Sequence, residues 1–181
     1  INGDLSKFCD TPRRCSGLPK YSWNFSYGQN YCLSLNEEDN KVYACGCGKG
    51  AGLDSKFEKE FTQKTRINDK IFEKENKIVD FATGKCNTSM ILTQNGEVYA
   101  IGENEENLLK IQISEKNRIK RPLKINIIED MKIKVVSMSI SHKNCYLIDN
   151  KGELYGIGDN TRSQILDDPD TEVENWTKIP I

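Results

Sequence analysis

The chain has 181 residues, 36% hydrophobic and 29% charged, with a net charge of −1 at pH 7. That length fits one ordinary domain, and the supply of aromatic and β-branched residues excludes wholesale disorder. The balanced charge argues against a protein built on phosphate contacts, which carries a basic excess, and no stretch approaches the ~20 apolar residues of a membrane span.

Residues 1–20 open on a turn, Asn2-Gly3-Asp4-Leu5-Ser6, followed by a short Pro-containing strand, Thr11-Pro12-Arg13-Arg14-Cys15. There is no initiator Met and no apolar signal region, so the expectation is a piece of a longer protein. Residues 21–77 then hold the first copy of a repeat, 78–134 the second, and 135–181 the third with the start of the next. Each copy opens on a β-rich run: Tyr27 to Leu35, Ile78 to Leu92, Val135 to Ile148. A tight turn follows, Asn95-Gly96 in the second copy and Lys151-Gly152 in the third. Asn-Gly between β-prone runs predicts a type I′ hairpin, with positive φ at both central residues. The first copy has a longer polar loop, Asn36-Glu37-Glu38-Asp39-Asn40.

The next strand is spelled alike each time: Val42-Tyr43-Ala44-Cys45-Gly46, Val98-Tyr99-Ala100-Ile101-Gly102 and Leu154-Tyr155-Gly156-Ile157-Gly158. Its tyrosines at 43, 99 and 155 give a period of 56 residues. A fixed period near this length marks a repeat architecture. The short apolar run predicts a strand covered on both faces, with the tyrosine as a wedge within or between repeats. The closing Gly predicts a bend or a close backbone approach. Seven residues beyond each Gly stands Leu53, Leu109 or Ile165. Lys56 to Lys77 reads as an enlarged linker holding a short amphipathic helix packed on its own repeat. Arg121-Pro122-Leu123-Lys124-Ile125 reads as a further short strand, and Trp176 to Ile181 as the opening of another.

A β-meander of about four strands per repeat is a propeller blade. The fold class expected is all-β: blades of four antiparallel strands, three complete or nearly so, with partial repeats at both ends. The whole of 1–181 is then part of a propeller.

Several segments invite a chemical reading. Gly46-Cys47-Gly48-Lys49-Gly50-Ala51-Gly52 has the look of a phosphate loop, but lacks a Gly-Lys-Ser/Thr ending and aligns with the acidic Gly102-Glu103-Asn104-Glu105-Glu106. It reads as a turn between strands. Cys45 and Cys47, with Cys9, Cys15, Cys32 and Cys86, fall short of the Cys-x₂₋₄-Cys pairs of zinc sites. Cys45 aligns with Ile101 and Ile157 and reads as core. Cys32 and Cys145 read as small buried hydrophobes. His142, the one histidine, lies in the polar turn Ser141-His142-Lys143-Asn144 and reads as an exposed loop residue without support for a triad. No catalytic residue, metal or cofactor is expected. Seven cysteines at irregular spacing predict reduced thiols and an intracellular, cytoplasmic or nuclear, setting.

The charged turns remain. Equivalent repeat positions project from one face of a propeller, so Lys49, Glu103, Glu105, Glu106, Asp159 and Arg162 form a candidate partner-binding face. Either these are ordinary solvated loops, or the face is acidic and steers a basic partner. Lys49 and Arg162 dilute the acidity.

The succession of a Gly, a β-run, an Asn-Gly or Lys-Gly turn, Val-Tyr-x-x-Gly and a Gly-Gln-Leu-like turn resembles the regulator of chromosome condensation repeat family. Gly84 through Leu109 is the fullest copy, and Ser163-Gln164-Ile165 and Gly3-Asp4-Leu5 keep remnants of the last turn. The family's Gly-x-x-His-Thr segment is altered: Gly28-Gln29-Asn30-Tyr31-Cys32, Gly84-Lys85-Cys86-Asn87-Thr88 and Ser141-His142-Lys143-Asn144-Cys145 lack its histidine. The resemblance implies a seven-bladed propeller, with the rest of that propeller as one partner. It implies a non-catalytic protein-interaction scaffold. The alternatives are a nucleotide exchange factor for a Ran-type small GTPase and the substrate-recognition propeller of a ubiquitin ligase.

Overall fold

The computed structural model describes residues 17–52, 57–62, 65, 67–73, 75–85, 87–104, 107–111, 113, 118–125, 133–171 and 173–180. Twelve strands among them form three antiparallel sheets of four, each built from strands consecutive in sequence. Sheet one is β1 (Ser22–Tyr27), β2 (Tyr31–Asn36), β3 (Lys41–Cys47) and β4 (Phe57–Thr62). Sheet two is β5 (Ile78–Thr83), β6 (Thr88–Thr93), β7 (Val98–Glu103) and β8 (Arg118–Lys124). Sheet three is β9 (Val135–Ile140), β10 (Asn144–Asp149), β11 (Leu154–Gly158) and β12 (Val173–Lys178).

Two elements depart from expectation. The linker expected to hold a helix contains β4 instead, paired to β3 through Gly46↔Glu58 and Cys47↔Phe57. Among the described residues of this linker, the helical backbone is the 3-10 turn Lys70–Phe72. The segment beginning at Trp176 belongs to the outer strand of sheet three, paired with β11, rather than to a further sheet.

The pleat explains the stacking. Residues directly opposite in an antiparallel pair share a face, and neighbours along a strand alternate. In sheet one, Tyr31, Leu33 and Leu35 of β2 share a face with Val42 and Ala44 of β3, and all are buried. The Tyr31 hydroxyl donates to the Thr88 carbonyl oxygen (2.9 Å) and lies 2.8 Å from Ser89 Oγ. That face therefore packs on sheet two. Every residue of β6 is buried, as expected for a strand covered on both sides. The matching face of sheet three carries Tyr146, Ile148 and Leu154, of which Ile148 is 38% exposed.

The first strands also meet. Asn24 Nδ2 donates to Asp80 Oδ1 (2.9 Å) and the Val79 carbonyl (3.3 Å), and the Ser26 and Thr83 hydroxyls are 2.8 Å apart. β1, β5 and β9 thus run side by side, the inner strands of consecutive blades. Trp23, Val79 and Val136, at matching places on them, are all exposed.

Replacing Tyr31 by Phe keeps the ring in its site but removes the hydrogen bond between sheets. Urea unfolding is expected to report a loss of about 1–2 kcal/mol; an unchanged midpoint would show that the hydroxyl does not couple the blades.

Candidate partner-binding face

The strand-end glycines shape this face. Gly46, Gly102 and Gly158 have φ of 93°, 108° and 119°. A Cβ on Gly102 would lie 2.1 Å from the Asn87 carbonyl oxygen and 3.3 Å from Gly50 Cα. The chain can thus turn out of the sheet only through glycine, and the turn of sheet one comes against the end of β7 in sheet two. The phosphate-like loop has the same explanation. It folds into a 3-10 turn, Gly48–Ala51. A Cβ at Gly50 would fall 2.3 Å from the Tyr31 ring, and the Gly50 carbonyl accepts from Ser89 Oγ at 2.7 Å.

The turns of sheets two and three are organised by an asparagine two residues after the glycine. Asn104 is fully buried, and its Oδ1 accepts the Leu109 amide at 2.9 Å. Asn160 is 4% exposed. Its Oδ1 accepts the Ile165 and Leu166 amides, both at 2.9 Å. Its Nδ2 donates to the carbonyls of Asp168 (2.7 Å) and Thr171 (3.3 Å). Leu109 and Ile165 are thereby held buried, as their spacing from the glycine suggests.

The charged residues follow from this frame. Lys49 Nζ bridges to Glu103 Oε1 at 2.8 Å, joining the turn of sheet one to β7 of sheet two. Asn87 Nδ2 donates to the other Glu103 oxygen at 3.1 Å, and Arg118 stands opposite Glu103 across β7 and β8. The Glu103 carboxylate raises the Lys49 ammonium above the ordinary lysine range. Asp159 occupies the Glu103 position in sheet three, one residue past its glycine. The Thr161 amide donates to Asp159 Oδ1 at 3.1 Å and holds the carboxyl below its usual range. Arg162 is exposed in the same turn. Lys110 Nζ bridges to Glu174 Oε1 at 2.7 Å, tying the turn of sheet two to β12. Lys110, His142, Lys143, Asp159 and Glu174 line an open cleft of about 330 Å³ at this second junction. His142 is exposed there.

The structure therefore brings Lys49 and Glu103 together, and sets Asp159 and Arg162 in the corresponding turn two sheets on. Glu105 and Glu106 lie outside the described residues, as do Leu53, Cys9, Cys15 and Cys86. The described part of the face carries both signs, because Lys49 and Lys110 each neutralise a carboxylate of the adjacent sheet. Among the described residues no group of three His, Cys, Asp or Glu side chains is placed to hold a metal ion. No helix among them is long and apolar enough to cross a membrane.

At the opposite end, a second repeated device escaped the reading of the sequence. Glu97 Oε1 pairs with Lys124 Nζ at 2.8 Å, and Glu153 Oε2 with Lys178 Nζ at 2.7 Å. Lys124 first, then Tyr99 and Asn76, holds the Glu97 carboxyl below its usual range against the cost of burial. The Tyr99 hydroxyl donates to Glu97 Oε2 at 2.9 Å, and its ring meets Phe72 edge-on, 5.0 Å between centroids. The repeated tyrosine is thus a wedge: Tyr99 and Tyr155 are buried, and Tyr99 presses on the segment arriving from sheet one. Aligning the two glutamates with the two lysines across the repeat would have exposed the device.

No family model and no curated protein matches the sequence. Solved structures do. Human WBSCR16 superposes with a TM-score of 0.68 at 16% identity, covering 88% of this chain and 38% of that one. Prp20p of Saccharomyces cerevisiae gives 0.66 at 20%, covering 89% and 39%. Yeast RCC1 (Prp20) bound to Kap60 gives 0.66 at 20%, covering 89% and 37%. The chain has an RCC1-like propeller fold. Its three sheets are propeller blades, and it spans under two-fifths of the length of these RCC1-like structures.

Proposed function

We propose that the chain is a non-catalytic protein-interaction scaffold whose partner face is made of the turns following Gly46, Gly102 and Gly158. The carrying observation is the Lys49–Glu103 bridge, which joins the turns of two blades into one polar surface. Loops on a rigid frame are where binding residues concentrate. The yeast RCC1 structure was obtained with Kap60 bound, and that of Prp20p was described with its binding to Gsp1p and histones. These likenesses support protein partners as a class.

The test compares two charge reversals in affinity capture from cells. Asp159→Lys with Arg162→Glu alters the proposed face, while Glu153→Lys alters the opposite end. Partners captured by the parent chain are expected to be lost with the first and kept with the second. Equal capture by both would overturn the assignment of the face.

The likeness to Prp20p favours one rival, exchange on a Ran-type GTPase. Exchange works by binding the nucleotide-free GTPase better than the loaded one, so it needs no catalytic side chain. Release of fluorescent GDP from such a GTPase separates the two. The scaffold reading expects no acceleration at micromolar protein, and acceleration would replace it with the exchange reading.

A further inference from the structure

The turn between β11 and β12 surrounds one hydroxyl with acid: Asp167-Asp168-Pro169-Asp170-Thr171-Glu172-Val173-Glu174. Carboxylates stand four, three and one residues before Thr171, and one and three after it. Thr171 is exposed, as are Asp167, Asp168, Asp170 and Glu174; Glu172 lies outside the described residues. The Thr171 hydroxyl donates to Asp168 Oδ2 at 2.8 Å, and its amide to the Asp168 carbonyl at 3.2 Å. The segment thus closes a turn on itself with the hydroxyl at the surface. Two other hydroxyls of this connection, Thr161 and Ser163, flank Arg162 instead.

Thr171 also lines the cleft between sheets two and three, with Lys110 on one wall and His142 and Lys143 on the other. Both walls belong to described blades. Asp159 and Glu174 are the carboxylates lining it. Lys110 Nζ holds Glu174 Oε1 at 2.7 Å. The Thr161 amide first, and the Lys143 charge after it, hold the Asp159 carboxyl below its usual range. Each lysine already meets one carboxylate, and a stronger anion at Thr171 would compete for both.

We propose that Thr171 is a phosphorylation site for a kinase that selects acidic flanks, and that Lys110 and Lys143 hold the phosphate in the cleft. A kinase with a basic substrate groove attracts the flanking carboxylates. The γ-phosphoryl group passes from ATP to Thr171 Oγ1. The Oγ1–P bond forms as the bond from phosphorus to the bridging oxygen breaks. ADP leaves with that electron pair, and the hydroxyl proton goes to the kinase's base. The product carries a charge of about −1.5 to −2 at pH 7 and strong acceptor oxygens. It replaces the donor that Asp168 accepted from with an anion that repels that carboxylate. The phosphate therefore turns into the cleft, where ammonium groups make charge-assisted bonds to it. Lys110 is drawn from Glu174, and the tie between sheet two and β12 passes to the phosphate. This site goes beyond the scaffold reading and stands whether or not the face binds a protein.

The test incubates the whole folded chain with ATP and casein kinase 2, which selects acidic flanks, and maps phosphate by peptide fragmentation. Thr171 is expected to be phosphorylated, and Thr161 and Ser163 are not. Absence of phosphate from Thr171 would overturn the site. Equal phosphate on Thr161 or Ser163 would overturn selection by the flanks. Phosphorus NMR of the phosphorylated chain then follows the second proton of the phosphate. A nearby cation favours the dianion, so Lys110→Gln and Lys143→Gln are each expected to raise that midpoint by about half a pH unit. Asp159, Asp168, Glu174 and His142 are the same in both variants, so the comparison isolates the lysines. Lys151→Gln, at the opposite end of sheet three, is expected to leave the midpoint in place. A lysine whose removal does not move the midpoint does not hold the phosphate, and failure of both overturns the cradle. An equal rise with Lys151→Gln would trace the effect to net charge and overturn it as well.

Discussion

Gly102→Val is expected to cost at least ~4 kcal/mol, enough to unfold a domain of ordinary stability at moderate urea. Two causes combine. A β-branched residue at φ 108° is a backbone outlier, for which left-handed strain alone costs about 1–2 kcal/mol. Its Cβ would also stand 2.1 Å from the Asn87 carbonyl oxygen of its own sheet and 3.3 Å from Gly50 Cα in the turn of sheet one. Gly152→Val separates the two causes. Gly152 has φ 84°, and a Cβ there meets nothing within 4 Å, so only the strain is expected, ~1–2 kcal/mol. Urea titrations followed by Trp fluorescence would measure both. Equal losses would show that the close approach to the Asn87 carbonyl is not what demands glycine at 102.

Asn160→Ala is expected to cost about 2–4 kcal/mol and to loosen the turn between β11 and β12. Four backbone groups lose their side-chain partner: the amides of Ile165 and Leu166 and the carbonyls of Asp168 and Thr171. Each buried group left unsatisfied carries a desolvation penalty of about 1–3 kcal/mol, which solvent admitted to the turn reduces. Hydrogen exchange at the Ile165 amide would show the loss residue by residue. Asn160→Asp keeps the acceptor and loses the donor, so it is expected to retain protection at Ile165 while still losing stability. Undiminished protection in the Ala variant would mean that packing of Ile165 alone holds the turn.

Much of this architecture was legible because it repeats. The spacing of Tyr43, Tyr99 and Tyr155 placed three equivalent strands, and the glycines after them marked where each chain leaves its sheet. The hairpins were located correctly but given the wrong turn. Gly96 and Gly152 have positive φ while Asn95 and Lys151 do not. The Gly96 amide donates to the Thr93 carbonyl and the Thr93 amide to the Glu97 carbonyl, so the loop holds three residues. That is a type I turn closed by a left-handed glycine, not the two-residue type I′ form. Asn-Gly suits both, and loop length decided between them.

Of the candidate face, residue types and the shared end were readable; the pairing was not. Lys49 and Glu103 are 54 positions apart and belong to different blades, so no local pattern links them. Their bridge changes what the face offers a partner: the carboxylate expected to add to an acidic surface is already neutralised. The strand Phe57–Thr62 was hidden for a related reason. Its apolar residues lie among charges at spacings that also suit a helix, and only the open edge of β3 selects the extended form.

What the sequence determined by itself is the repeating blade, because alternation, turn residues and strand-end glycines are local choices made three times over. Tertiary structure decided which repeat positions are equivalent in chemistry as well as in register. Cys32 and Cys145 occupy equivalent places in β2 and β10, and both are expected to be buried, yet Cys145 is fully buried while Cys32, with Cys45 opposite it, is only half-buried. Burial depends on the neighbour that covers a face, and that neighbour is set by the stacking of sheets rather than by the residues of any one strand.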